Sequence, residues 1–379
     1  MSNTPSLQLP VPIGKDSDSN VKNDAWKILS ENNLFRRTDF AIAAHEDRYV
    51  IIAGGQGERR EELRSVVMYD LETNSHLILP ELPKRYDCEC KGVITNGNYY
   101  VICNGGLMFR LDLSMRSKWQ QVHRLSLFKL EYVYAALAKD HLIYILGDDG
   151  RRGSGITNKN ILYDTKTNVC FTIDPMPTYS YDFACAMVGD DIYVIGGKGQ
   201  RGFLSSVFVY NTISETWREA PSLPKKLHSS DASVAGGRWI IVSGGKHGNF
   251  DTWSSQTYIF DIYQQRWICH DMGVCKPRLC HGTCSIGRSH VVSVGGESDM
   301  KRRKCSIEII ARQTLIPNWE PLGSLIVLRN LYTQDRARPI QLRHDELDRV
   351  SKVNDNTVQK LVTELNDDTF RDVLSFIIE

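Results

Sequence analysis

The segment "VCKPRLCHGTC" brings three cysteines and a histidine, Cys275, Cys280, His281 and Cys284, within ten residues. Thiolates and imidazoles are zinc ligands, but the paired C-x-x-C spacing of a structural zinc site is missing. Cys88 stands near Arg85, and Cys275 beside Lys276; a basic neighbour favours the thiolate, so these two thiols carry a redox reading. A third motif, "GKGQRG" at residues 197–202, matches the G-x-G-x-x-G dinucleotide fingerprint. That fingerprint works only where a helix follows and points its N-terminus at a pyrophosphate. Here the next residues are "FLSSVFVYN", a strand pattern, so the glycines are architectural. The patterns H-E-x-x-H, G-x-S-x-G and Walker A are absent. No cofactor and no metal is expected.

What positions these residues is a repeated unit. Strand-then-glycine pairs recur in "YVIIAGG" (Gly54, Gly55), "YYVICNGG" (Gly105, Gly106), "IYVIGG" (Gly196, Gly197), "WIIVSGG" (Gly244, Gly245) and "HVVSVGG" (Gly295, Gly296). A degenerate copy, "IYILGDD", supplies Gly147. The first glycines lie 42 to 51 residues apart, a period of propeller blades or solenoid units. A second apolar run then ends in an aromatic and an acid or amide: Tyr69-Asp70, Tyr163-Asp164, Tyr210-Asn211 and Phe260-Asp261, with Leu111-Asp112 as a variant. Trp217 and Trp267 stand seven residues after the aromatic and Trp119 eight after Leu111, while His76 and Cys170 take the Trp position in two copies. Each unit reads as four short strands separated by turns, with no period near 3.6, which fits a blade and not a helical solenoid.

The double glycine, the Tyr-Asp pair and the Trp together resemble the kelch repeat over residues 22–323. Six copies imply an all-β, six-bladed β-propeller of four-stranded antiparallel blades. Glycine lets backbones approach closely where blades crowd the axis, and Trp supplies apolar area between blades. Closing such a ring requires joining the last blade to the first. Trp26 precedes Ala41 by fifteen residues, as Trp217 precedes Ala232, so the chain is expected to enter as the outer strand of the last blade. Trp319 offers the competing candidate.

In a four-stranded blade with strands a to d, the b–c loops and the d–a connections share one face. On that face the sequence counts twenty Lys/Arg against twelve Asp/Glu, a net of +8, while the whole chain (46 Lys+Arg, 45 Asp+Glu) carries +1. The expectation is a funnel for an acidic peptide or protein segment, with guanidinium forks pairing carboxylates or phosphates. The candidate partner-binding residues are Arg37, Arg85, Arg152, Tyr181, Arg201, His228, Arg278, Arg302 and Arg303. The alternative is that these are solvated loop charges. The near-neutral total gives no argument for nucleic acid, and no apolar run reaches the length of a membrane span.

The ends read differently. Residues 1–21 are polar and read as a disordered tail without a signal-peptide pattern. Residues 324–379 read as a linker and a short α-helical tail, with Val358, Leu361, Val362 and Leu365, then Phe370, Val373, Leu374 and Ile377, at amphipathic spacing. The segment "LNDDTFRDVLSFI" resembles the first helix of an F-box, the module that recruits substrates to ubiquitin ligases. The resemblances imply a non-enzymatic protein-interaction scaffold, and ten cysteines in 379 residues, too sparse for a disulfide framework, point to the cytoplasm or nucleus. The alternatives are a substrate receptor for ubiquitin ligation and, since some kelch propellers are enzymes, a sugar-modifying enzyme such as an epimerase.

Overall fold

The structure, a computed structural model, describes residues 26–84, 89–122, 130–148, 158–248, 252–270, 277–287, 290–297 and 306–311. All of the described residues fall in the first of the chain's two units, residues 1–312. Trp319 and the expected tail helices lie outside the described residues, as do Arg85, Arg152, Arg302, Arg303, Cys88 and Cys275.

The first unit contains six four-stranded antiparallel sheets. Blade I comprises Ala41–His45, Tyr49–Ala53, Val66–Asp70 and Ser75–Leu79, and blade II comprises Cys90–Thr95, Asn98–Cys103, Leu107–Asp112 and Gln120–Val122. Blade III runs through Tyr132–Lys139, Leu142–Asp148, Asn158–Asp164 and Val169–Ile173; blade IV through Ala184–Val188, Asp191–Ile195, Val207–Asn211 and Thr216–Ala220. Blade V comprises Asp231–Ala235, Trp239–Ser243, Thr257–Asp261 and Arg266–His270. Blade VI takes Gly282–Ile286, His290–Val294 and Ser306–Ala311 from one end and Lys27–Glu31 from the other. The a strands neighbour one another in a closed ring, blade I meeting both II and VI. The N-terminal strand closes it, with Ile28 opposite Glu308.

Burial follows position in the blade. Strands b and c are covered on both faces by neighbouring blades, so Val66–Asp70 and Trp239–Ser243 are buried throughout and read as continuous apolar runs. Strand d lies at the rim, and Ser75–Leu79 buries only Leu79. The cores form between blades: Val50, Ile52 and Val67 of blade I pack with Val292, Val294 and Ile307 of blade VI. Burying each such side chain contributes roughly 1.5–3 kcal/mol.

The repeated residues now have causes. Tyr210 pairs directly with Trp217 across the c–d hairpin, and Phe260 with Trp267, which explains the seven-residue spacing. The indole then reaches the preceding blade: Trp119 Nε1 donates to Pro80 O (2.7 Å), Trp217 to Asp174 O (3.0 Å) and Trp267 to Pro221 O (2.7 Å). The acid after the aromatic caps the c–d turn, as Asp70 accepts from the backbone N–H of Glu72 (2.9 Å) and Thr73 (3.3 Å). Gly55 and Gly197 adopt φ of 83° and 93°, and a Cβ there would stand 2.5 Å from Thr38 O and 2.3 Å from Ser180 Oγ. Gly147 differs: it stays within strand b, opposite Val133. Among the described residues no helix is long and apolar enough to cross a membrane.

Candidate functional site: the axial channel and its rim

The d–a connections and the b–c loops meet on one face, as the sequence implies. Thr38 bridges to Gln56, Tyr181 to Lys198 and Leu279 to Glu297, and Leu227–His228 pairs with Lys246–His247. At the inner end of these connections lies a collar. Asp39, Asp182, Ser229 and Cys280 each precede strand a by two positions and adopt φ of 57°, 51°, 52° and 51°. Backbone hydrogen bonds relay between them: Asp39 N to Cys280 O (3.2 Å), Cys280 N to Ser229 O (3.3 Å) and Ser229 N to Asp182 O (2.9 Å). Such left-handed residues are tolerated where side chains are short and polar and the surroundings fix them.

The collar opens into an axial channel of about 440 Å³ lined by the six a strands. Its wall carries Asp39, Glu89, Asp182 and Asp231, with Lys91 as the one Lys or Arg in the lining. Burial raises the Glu89 carboxyl above its ordinary range, Lys91 opposes the shift, and Asp182, Asp39 and Asp148 reinforce it. Asp182 is raised for the same leading reason, burial. Asp231 is also raised by burial, although Lys91 and the Thr283 N–H (2.6 Å) and hydroxyl (3.0 Å) favour its charged form. Burial, reinforced by Arg278 and Lys91, pushes His281 down to about 3, leaving the imidazole neutral at pH 7. The Cys185, Cys280 and Cys284 thiols are all raised by burial, which keeps them from being nucleophiles or metal ligands as thiolates. Among the described residues no group of three His, Cys, Asp or Glu side chains is arranged to hold a metal.

Around the channel, blades III to V carry an aromatic and cationic band. Tyr134 lies 6.2 Å from Tyr181, which lies 5.8 Å from Tyr179. The Tyr134 and Tyr179 hydroxyls both donate to Asp148 Oδ2, at 2.8 and 3.0 Å. Lys198 Nζ sits 5.7 Å from both the Tyr181 and Phe203 rings, and Phe203 stacks on His228 at 4.1 Å. Lys198 and Phe203 pair across a small hairpin with Arg201 exposed near its tip. Lys225 and Lys226 are exposed beside it.

The structure thus brings Tyr181, Arg201 and His228 to one region, with His228 largely buried, and it removes two candidates. Arg37 and Arg278 are only 2% and 0% exposed. Arg37 Nη1 donates to Gly54 O (2.9 Å) and Arg278 Nη1 to Gly295 O (3.0 Å), a role that the Ser180 hydroxyl fills for Gly196 O (3.0 Å). All three precede the collar residue by two, so these arginines latch the glycine turn and present no guanidinium to a partner. Counting charge by loop missed this because it cannot tell an arginine facing solvent from one facing a carbonyl. It also missed the radial arrangement, with acids at the axis and cations at the rim. The available signal was the Asp-Phe dipeptide at 39–40 and 182–183, aligned with Ser229-Ser230 and Cys280-His281.

Comparison with known proteins agrees with this architecture. The KLHDC2/KLHL20/DRC7 Kelch-repeats domain family matches residues 107–296. Human Kelch repeat and BTB domain-containing protein 12 is 27% identical over 45% of this chain and 30% of its own length. An F-box/kelch-repeat protein of Arabidopsis thaliana is 24% identical over 64% of this chain and 55% of its own. Kelch-like protein 26 of Danio rerio is 24% identical over 50% and 31%. The chain therefore spans between about a third and just over half of the length of these relatives. With six four-stranded blades, five of them turned by paired glycines, and half its length matched, the chain belongs to the kelch-repeat family.

Proposed function

We propose that this chain is a non-enzymatic protein-interaction module whose d–a and b–c face takes an acidic partner segment across blades IV and V. The observation that carries this reading is the row of cations on the rim. Lys198, Arg201, Lys225 and Lys226 make no ion pair with any described carboxylate, and Tyr181 and Phe203 flank Lys198 with apolar area. A charge-assisted hydrogen bond to such a cation contributes about 1.5–3 kcal/mol when desolvated. Arg85, Arg152, Arg302 and Arg303 belong to the same loops by sequence and are included in the proposal; Arg37 and Arg278 are not. The kelch-named relatives, among them one with a BTB domain and one with an F-box, support an interaction role. The free thiols of the described cysteines suit a reducing compartment, the cytoplasm or nucleus. The test is affinity capture with the full chain beside an Arg201→Ala, Lys225→Ala, Lys226→Ala variant. Capture should fall at least tenfold and lose its salt dependence, while Lys118→Ala with Lys166→Ala on the c–d turns changes nothing. Undiminished capture by the rim variant overturns the acidic-segment reading.

The F-box/kelch-repeat relative favours a second reading, substrate recognition for ubiquitin ligation. It rests on residues 324–379. Truncation at 323 should then release ubiquitin-ligase subunits from the captured material while leaving the propeller's own partner bound.

A further inference from the structure

We propose that the mouth of the axial channel binds one organic cation, the ammonium or guanidinium group of a basic side chain that a partner inserts along the propeller axis. The inference deepens the reading above, since it gives the partner segment on the rim a Lys or Arg that turns inward. Four carboxyl side chains, Asp39, Glu89, Asp182 and Asp231, line the channel against the single Lys91. They are not equivalent. Asp231 is engaged by the Thr283 and Ala232 amides, and Asp39 is hydrogen-bonded with the Cys280 thiol. Glu89 Oε2, by contrast, is buried with no hydrogen-bond partner, and Asp182 makes no side-chain hydrogen bond or ion pair among the described residues.

An independent observation marks the same place. Ser230 lines the channel, is only 8% exposed, and its hydroxyl has no hydrogen-bond partner. Buried polar atoms are normally paired, so orphaned groups on a cavity wall mark a ligand's place. These groups select the ligand's class. Four carboxyls face one ammonium, and a cation placed among them favours their ionised, accepting form over the proton that burial leaves on Glu89, so the ligand that fits is a positive donor. A bare metal ion is disfavoured, because no three suitable side chains converge among the described residues. A side chain brings several N–H donors on an apolar stem, and the channel below the collar is lined by Ala43, Ala136, Leu137, Met187 and Val234, which suit that stem. The collar's backbone relay fixes Asp39 and Asp182 in advance, so little ordering is needed on binding.

The experiment uses the full chain and small probes, so that it reads the axis independently of the rim. Acetyl-arginine amide and its neutral isostere acetyl-citrulline amide are titrated with ligand-observed NMR, at low ionic strength and pH 8. The arginine probe should bind saturably and at least tenfold more tightly than the citrulline probe. Glu89→Gln with Asp182→Asn should erase that difference, and Ser230→Ala alone, a milder change, should weaken the arginine probe about threefold. The rim variant Arg201→Ala, Lys225→Ala, Lys226→Ala should leave probe binding unchanged, so failure of the acidic-segment reading and failure of this one are separable. Equal binding of the two probes, or a charge preference that survives the Glu89 and Asp182 substitutions in a folded protein, overturns the proposal.

Discussion

Arg278 and Glu308 form an ion pair with no solvent exposure on either side chain, joining the connection before blade VI to its third strand. Glu308 also stands opposite Ile28 of the closing strand, so the pair sits beside the seam of the ring. Removing one partner strands a buried charge, whereas replacing both with apolar groups does not. Arg278→Ala should therefore cost about 3–5 kcal/mol, while Arg278→Met with Glu308→Leu should recover most of the loss. Urea midpoints of the three proteins decide the matter. Equal losses in the single and double variants would mean that packing, not charge, dominates.

The seam itself can be probed at Trp26. This side chain is buried, and its Nε1 donates to Thr257 Oγ1 (3.3 Å) of blade V. Trp26→Ala removes apolar area and opens a cavity, a loss of about 3–5 kcal/mol. The expected readout is a lower thermal midpoint, together with faster amide exchange in Ser306–Ala311 than in Val66–Asp70. Uniform loosening of all six blades would place the weak point elsewhere.

Stability should depend on pH in two opposite ways. Burial raises Glu89 and Asp182, so above the ordinary carboxylate range the native chain holds protons that the unfolded chain has released, and stability falls as pH rises. The Arg48 hydrogen bond lowers Asp70, and the Ser114 hydrogen bond lowers Asp112. Their contributions are complete above the unfolded value of about 4 and are lost as pH falls below it. Buried His281, lowered to about 3, adds stability as pH rises to its unfolded value of about 6.5, so the carboxyl effect stands alone only above that. Urea midpoints should therefore decline between about pH 7 and pH 8.5, and Glu89→Gln should flatten that decline. A midpoint that climbs across this range in the parent protein contradicts the assignment.

Cys90 and Cys103 face each other across the first two strands of blade II with Sγ atoms 2.8 Å apart, both buried. Burial raises the Cys103 thiol well above its ordinary value, and the hydrogen bond with Cys90 adds to that. Iodoacetamide at pH 7.5 should leave both unmodified in the folded protein and label both in urea, as read by mass spectrometry. Labelling at the native-state rate of an exposed cysteine would show that the blade opens locally.

Much of the fold was legible because the repeat is written in residues with backbone consequences. Paired glycines mark turns where a Cβ would strike Thr38 O, and the Trp at a seven-residue offset marks a cross-strand pair. Trp26 announced the closing strand by its alignment with Trp217, and the ladder from Lys27 to Glu31 agrees. The small hairpin pairing Lys198 with Phe203 was not legible, since two paired residues leave no periodicity. The site was legible only in outline. Tyr181, Arg201 and His228 do share a region, but Arg37 and Arg278 point inward to carbonyls, a difference set by tertiary contacts that composition does not encode. The acids of the axis went unread because Asp39, Glu89, Asp182 and Asp231 are far apart in the chain and meet only when the ring closes.

Ring closure by Lys27–Glu31 also has a consequence for biosynthesis. That strand leaves the ribosome before the rest of the propeller, and its partner Ser306–Ala311 is the last of the propeller to follow. Until then the buried faces of Phe35 and Phe40 have no blade VI to cover them. The nascent chain must therefore carry an apolar patch through the synthesis of the intervening blades, a state that invites aggregation and calls for chaperone cover. Fusing the closing strand behind residue 311 by circular permutation would shorten that wait and should raise the soluble yield.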